Sequence, residues 1–175
     1  MSLADIATCE SVRVAGDDFD EAIIQHMKKT YNMTIGEQTA ERIKIEIGSA
    51  AKVTDDTVLE VRGRDNTNGL PGKTDVTSEE IREALQDPVR SIVDAVKRTL
   101  DRAEPELSAD LISEGICLVG GGALLRGIDV VINRETNLDV TIAEDPLTCV
   151  ARGTSIYLEN IEVWKGTMES DMDDL

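Results

Sequence analysis

The sequence predicts an α/β fold in which a base lobe of strands and helices carries a smaller, inserted α+β lobe. Three observations predict it. Strand-like runs alternate with helical periodicity near both ends of the chain, and a helix-and-hairpin stretch interrupts that alternation between residues 16 and 78. The apolar fraction, 41% of 175 residues, is also enough for a packed interior. The expected division is a base formed by residues 1–15 and 79–161, an insert at 16–78, and an acidic tail at 162–175 expected to be poorly ordered.

The elements follow in order. Ile6–Val14 alternates loosely and reads as a strand; lacking an approach segment, it points to a chain that begins inside a larger domain. Gly16 breaks it, and Asp17 or Asp18 is placed to cap a helix on which Phe19, Ile23 and Met27 recur at fours. Tyr31–Ile35 reads as a linker. A second helix runs from Gly36 to Gly48, with Ala40, Ile43, Ile47 and Ala51 as its apolar stripe. Thr57–Gly63 and Lys73–Val76 read as a hairpin around the turn-rich Asp65–Gly72. Thr77-Ser78-Glu79-Glu80 has the form of a capping box, so a short helix follows to about Gln86. Asp87-Pro88 opens the next helix, with Val89, Ile92, Val93, Val96 and Leu100 on one face, and Leu107–Ile112 forms another. Ile116–Val119 is wholly apolar and reads as a buried strand, leading through Gly120-Gly121-Gly122 into a helix from Ala123 to about Ile132. Val140–Ala143 is a last strand, and Asp145-Pro146 opens a final helix through Glu159.

Composition narrows the function. The net charge of −17 repels a phosphate backbone or an anionic leaflet, and no basic run exceeds the pair Lys28–Lys29, so nucleic acid is not an expected partner. Phe19, Tyr31, Tyr157 and Trp164 are the only aromatics, too few for base-stacking platforms. Cys9, Cys117 and Cys149 form no metal or disulfide pattern and read as buried thiols. His26, the only histidine, reads as a surface residue. The acids Asp17, Asp18, Asp20 and Glu21 read as helix capping in preference to a cation site.

The strand–Gly120-Gly121-Gly122–helix junction is the sharpest chemical feature. Three glycines let backbone approach a ligand, and a helix start presents free N–H groups, yet three glycines at a turn are more often simply a tight strand-to-helix connection. The segment has neither the Lys-Ser/Thr of a Walker loop nor the pattern of a dinucleotide loop. On the second helix, Glu41, Lys44 and Gly48 share one stripe within about 60°. Glu41 accepts hydrogen bonds, Lys44 donates them and Gly48 would leave room for a ring. A solvated Glu–Lys pair is the alternative.

Four blocks carry a resemblance. Gly120-Gly121-Gly122-Ala123-Leu124-Leu125-Arg126-Gly127 and Ala143-Glu144-Asp145-Pro146-Leu147-Thr148-Cys149-Val150-Ala151-Arg152-Gly153 are two of them. Ala15-Gly16-Asp17-Asp18-Phe19-Asp20-Glu21-Ala22-Ile23 is the third, and Ile35-Gly36-Glu37 with Thr39-Ala40-Glu41-Arg42-Ile43-Lys44-Ile45-Glu46-Ile47-Gly48 the fourth. Their order and spacing resemble the rod-shape-determining MreB family from about residue 10 to residue 160. The resemblance implies the actin-like ATPase fold of the actin, Hsp70 and sugar-kinase superfamily, with this chain as the second lobe. It implies ATP, with Mg²⁺ in the complete protein, held near Gly120, Gly121, Gly122 and Ala123 and approached by Glu41, Lys44 and Gly48. The phosphate-gripping hairpins and the membrane-binding segment would lie before Met1, so this chain alone is expected to be inactive. The resemblance further implies self-association into filaments, a cytoplasmic location at the inner face of the membrane, and work with the cell-wall elongation machinery in determining cell shape. Plasmid or organelle positioning, or a non-enzymatic interaction module, are the alternatives.

Overall fold

The computed structural model describes residues 6–52 and 57–161. The first unit is helical: α1 (Gly16–Tyr31) and α2 (Glu37–Ile47) pack through Phe19, Ile23, Met27, Ala40, Ile43 and Ile47, the buried stripes of two amphipathic helices. At the start of α1 the Ala15 amide donates to the Asp18 carboxylate at 2.7 Å, so Asp18 acts from inside the first turn and Ala15 occupies the cap position. Gly36 and Gly48 flank α2, as its sequence predicts.

The expected linker after α1 contains β1 (Met33–Thr34), which joins β2 (Val58–Asp65) and β3 (Pro71–Thr77) in an antiparallel sheet of order β1-β2-β3. Register runs from Val58 opposite Thr77 to Arg64 opposite Pro71, and this face closes the core with Val61 and Val76. Thr77 and Glu80 form the predicted capping box of α3 (Ser78–Ala84). A single residue, Leu85, separates α3 from α4 (Gln86–Asp101). Leu85 caps α4 in helical geometry, so Asp87 lies within the first turn and is not the cap.

The C-terminal part departs further from expectation. α5 spans Pro105–Glu114. β4 (Ile116–Leu118) and β5 (Val140–Ile142) form a two-stranded parallel sheet. β4 is only half-buried, because among the described residues no third strand flanks it; Cys117 and Val119 are exposed. The expected helix from Ala123 is divided. Gly121–Leu124 is a single 3₁₀ turn, and α6 runs over Ile128–Thr136. Gly127, at φ 76°, reverses the backbone between them, and a Cβ there would lie 2.7 Å from that of Ala51. The last helix, α7, is Cys149–Glu159; Asp145 precedes it by a turn and accepts from the Thr148 hydroxyl.

Three further expectations are corrected. Residues 6–15 form no strand: an alternating pattern marks a face but supplies no ladder partner, and Ile6 and Val12 are exposed. Cys9 and Cys117 are exposed and Cys149 only partly covered. His26 is half-buried, edge-on to the Tyr31 ring, with a covered Nε2 that has no hydrogen-bond partner among the described residues. The acidic tail and Trp164 lie outside the described residues. One apolar cluster joins α1, α2, β2, β3, α3, α4 and α6, so residues on both sides of the expected boundary at 78/79 share a core.

Candidate functional site

The glycine turn is held at both ends and open between them. Gly120 sits at φ 82°, where a side chain is strained, and its amide donates to the Pro146 carbonyl at 2.7 Å. Ala123 closes the turn, donating to the Gly120 carbonyl at 3.2 Å, and is itself buried. Gly121 and Gly122 begin the 3₁₀ turn, so their N–H groups have no acceptor within it. A Cβ added at Gly122 would meet nothing within 4 Å, and φ there is unremarkable. Neither packing nor backbone strain in this chain demands glycine at 122. Open space and uncommitted donors are what a ligand approaching the backbone needs.

Arg126 stitches this turn to the end of α2. Its Nε donates to the Gly48 carbonyl at 3.2 Å and its guanidinium also reaches the Glu46 carbonyl. In return the Ala50 amide donates to the Arg126 carbonyl at 2.8 Å, and Ser49 pairs with Arg126 in a short parallel bridge. The carbonyls at a helix C-terminus have no intrahelical donors, and a guanidinium satisfies them while complementing the dipole. The structure thus brings Gly48 beside the segment that follows the glycines. Glycine at 48 has a local cause, since a Cβ there would collide with the Lys44 carbonyl oxygen, so its presence needs no ring to explain it.

Glu41 and Lys44 share the predicted stripe without pairing with each other. The Lys44 ammonium binds Asp20 at 2.8 Å and the Gly16 carbonyl at 3.2 Å, with both charged side chains largely covered. An ammonium has three donors, so one remains. Glu41 is exposed and lines a cleft of about 500 Å³ with Asp17, Asp18, Asp20, Glu21 and Glu37. Six carboxylates make this cleft hostile to phosphate and suited to hydroxyl or amine groups. Among the described residues no cluster of acids, histidine or cysteines has the arrangement of a metal site. Asp20 and Arg126 are the residues that sequence reasoning missed. Both fall inside matched blocks, but nothing in their spacing names a partner 24 or 78 residues away.

A sequence model of the MreB/Mbl protein family matches residues 1–166. The chain belongs to that family. The cell shape-determining protein Mbl of Bacillus cereus is 49% identical over 162 residues, covering 93% of this chain and 49% of the relative. MreB of Pasteurella multocida is 48% identical over 173 residues, covering 98% of this chain and 49% of its own length. The chain therefore spans about half the length of the curated relatives it matches. The crystal structure of MreB5 of Spiroplasma citri bound to ADP superposes with a TM-score of 0.86 at 39% identity, over 90% of this chain and 48% of that one. A MamK double helical filament matches at TM-score 0.64 and 22% identity, covering 76% of this chain and 41% of that one; it shows the fold alone. The fold is actin-like, as the sequence blocks imply. No helix among the described residues is long and apolar enough to cross a membrane.

Proposed function

We propose that this chain is the second lobe of an ATP-binding, filament-forming protein of cell-shape determination, with the base at 1–15 and 79–161 and the insert at 16–78. The observation that carries the nucleotide reading is the open glycine turn, whose Gly122 is unexplained by any contact within the chain. Support comes from the family and from the S. citri MreB5 structures, which hold ADP and AMPPNP. In this reading Gly120, Gly121, Gly122 and Ala123 offer backbone to the nucleoside end of the nucleotide. Glu41 and the third donor of Lys44 take its hydroxyl and amine groups. Gly48 contributes through its carbonyl, by fixing Arg126 and hence the turn. ATP supplies the phosphoryl group, with Mg²⁺ in a two-lobed protein; the acidic cleft argues that the phosphates lie away from Glu41. Filament assembly, contact with wall-synthesis machinery and a place at the inner face of the membrane are proposed from the family.

The test is Gly122→Val, made in this chain joined behind the first half of a full-length MreB relative. A branched side chain fills the open space without entering a strained backbone region, so folding should be spared. ADP affinity should fall by at least about tenfold, near 1.4 kcal/mol, with the melting temperature little changed. Unchanged affinity, or parallel losses in affinity and stability, would leave the turn a purely structural connection.

A further inference from the structure

The chain carries a net charge of −17, and its sequence contains no basic run. Folding nonetheless gathers cations. A cavity of about 590 Å³ is lined by Lys52, Arg82, Arg90 and Arg134, over a floor that includes Val89 and Val131. Two carboxylates, Asp94 and Glu135, also reach its wall. Glu135 is already neutralised: Lys97 binds it at 2.6 Å and Arg134 lies 3.4 Å from it. Arg82 is taken up by Glu79 at 3.1 Å. Among the described residues, Lys52 and Arg90 have no ion-pair partner, so two positive charges face a concave space with one unneutralised carboxylate. The cavity is left with a net positive charge in a chain that is otherwise strongly acidic, and an anion would offset it.

We propose that this cavity binds a small organic anion, bearing phosphate or carboxylate groups on a partly apolar stem. The size is that of a small-molecule site, typically about 300–1,000 Å³. The guanidinium of Arg90 suits a bidentate bond to either oxyanion, and the valine floor accommodates the stem. The position gives the ligand a consequence. Lys52 lies on the segment that follows α2, whose residues Gly48 and Ala50 are hydrogen-bonded to Arg126. Arg90 lies on α4 and Arg134 on α6. An anion held by Lys52 and Arg90, with Arg134 beside it, ties that segment to α4 in addition to its hydrogen bonds to Arg126. This cavity shares no lining residue with the acidic cleft or the glycine turn, so its occupancy is separable from nucleotide binding.

The experiment is ¹⁵N NMR titration of the 175-residue chain with inorganic pyrophosphate and, separately, citrate, each against sodium chloride at matched ionic strength. Saturable shifts at Ala50–Lys52, Arg90 and Arg134 are expected, with slower hydrogen exchange at the Ala50 amide. The two probes distinguish phosphate from carboxylate. Lys52→Gln with Arg90→Gln, both exposed and therefore tolerated, should weaken binding by at least about tenfold. Lys28→Gln with Lys29→Gln, equal in charge removed but on α1, should not. Arg90→Lys provides a milder variant that keeps the charge and loses the fork. Non-saturable shifts, equal weakening by both double variants, or shifts confined to the glycine turn would overturn the proposal.

Discussion

At the scale of single residues, Lys44 has a structural duty that its sequence pattern does not show. Its bond to Asp20 clamps α2 onto the first turns of α1, and only its remaining donor is left for the nucleoside contact proposed above. Lys44→Ala would strand Asp20, whose Oδ1 is already covered and without a partner among the described residues, so it should cost about 1–3 kcal/mol of stability besides any loss of affinity. Glu41→Gln is the cleaner probe because Glu41 is exposed and makes no ion pair among the described residues. In the two-lobed protein, Glu41→Gln should weaken ATP, ADP and adenosine by similar factors while leaving the melting temperature unchanged. A loss confined to ATP would relocate the residue to the phosphates; no loss at all would make it a solvated surface acid. The pattern Glu41-x-x-Lys44 was legible as a stripe, because helical spacing is a property of the sequence. The partner of Lys44 was not, because it depends on how α1 crosses α2.

At the scale of elements, the same distinction separates what was read correctly from what was not. Both ends of α2 were legible from Gly36 and Gly48, although the apolar stripe was carried too far, to Ala51, which lies beyond the helix. The segment after the glycines was misread: Leu124, Leu125, Ile128 and Ile132 keep helical spacing, but Gly127 turns left-handed against Ala51 and splits the helix. The capping box at Thr77 was legible, yet its tertiary extension was hidden. Glu80 accepts from the Thr77 amide at 2.9 Å and hydroxyl at 2.7 Å, and also from the Tyr31 hydroxyl at 2.6 Å. Burial alone would push the Glu80 carboxyl up, but these bonds together hold it below its ordinary value of 4.5. Burial, and then the bond to Glu80, push Tyr31 up from 10.0 to about 12. The carboxylate's contribution is present above the ordinary glutamate value and is lost as pH falls through the lowered one. The tyrosine's contribution is present below 10.0 and is lost as pH rises towards about 12. Tyr31→Phe should therefore cost roughly 1 kcal/mol at neutral pH, make the acid loss smaller and complete at a higher pH, and flatten the alkaline loss. Urea unfolding followed at pH 4, 7 and 11 checks this, and an alkaline limb equal to the wild type would disprove the coupling.

At the scale of the whole molecule, stability is unevenly distributed, and the distribution bears on function. The buried cluster draws on α1, α2, the three-stranded sheet, α3, α4 and α6. By contrast α5 and α7 contribute no buried residue, and Leu147, Val150, Ile156 and Leu158 are each at least 59% exposed. Parallel strands are ordinarily covered on both faces, whereas β4 and β5 stand as a pair with Cys117, Thr141 and Ile142 exposed. Apolar surface of this extent is expected to be covered in the working protein, and the proposed two-lobed arrangement supplies a cover. Native-state hydrogen exchange distinguishes the possibilities. In the 175-residue chain, amides of α1, α2 and α3 should exchange only with global opening, while those of α5 and α7 exchange many times faster through local opening. Joining the chain to the first half of an MreB relative should slow exchange in α7 and along β4–β5, and nucleotide should slow it further at the glycine turn. The chain by itself should show no Mg²⁺-dependent ATP turnover, since backbone donors and an acidic cleft, even where they hold a nucleoside as proposed, do not drive phosphoryl transfer. Equal protection of α7 in the half-length and joined proteins would mean that this helix meets no second lobe, and the proposed assembly would fail with it.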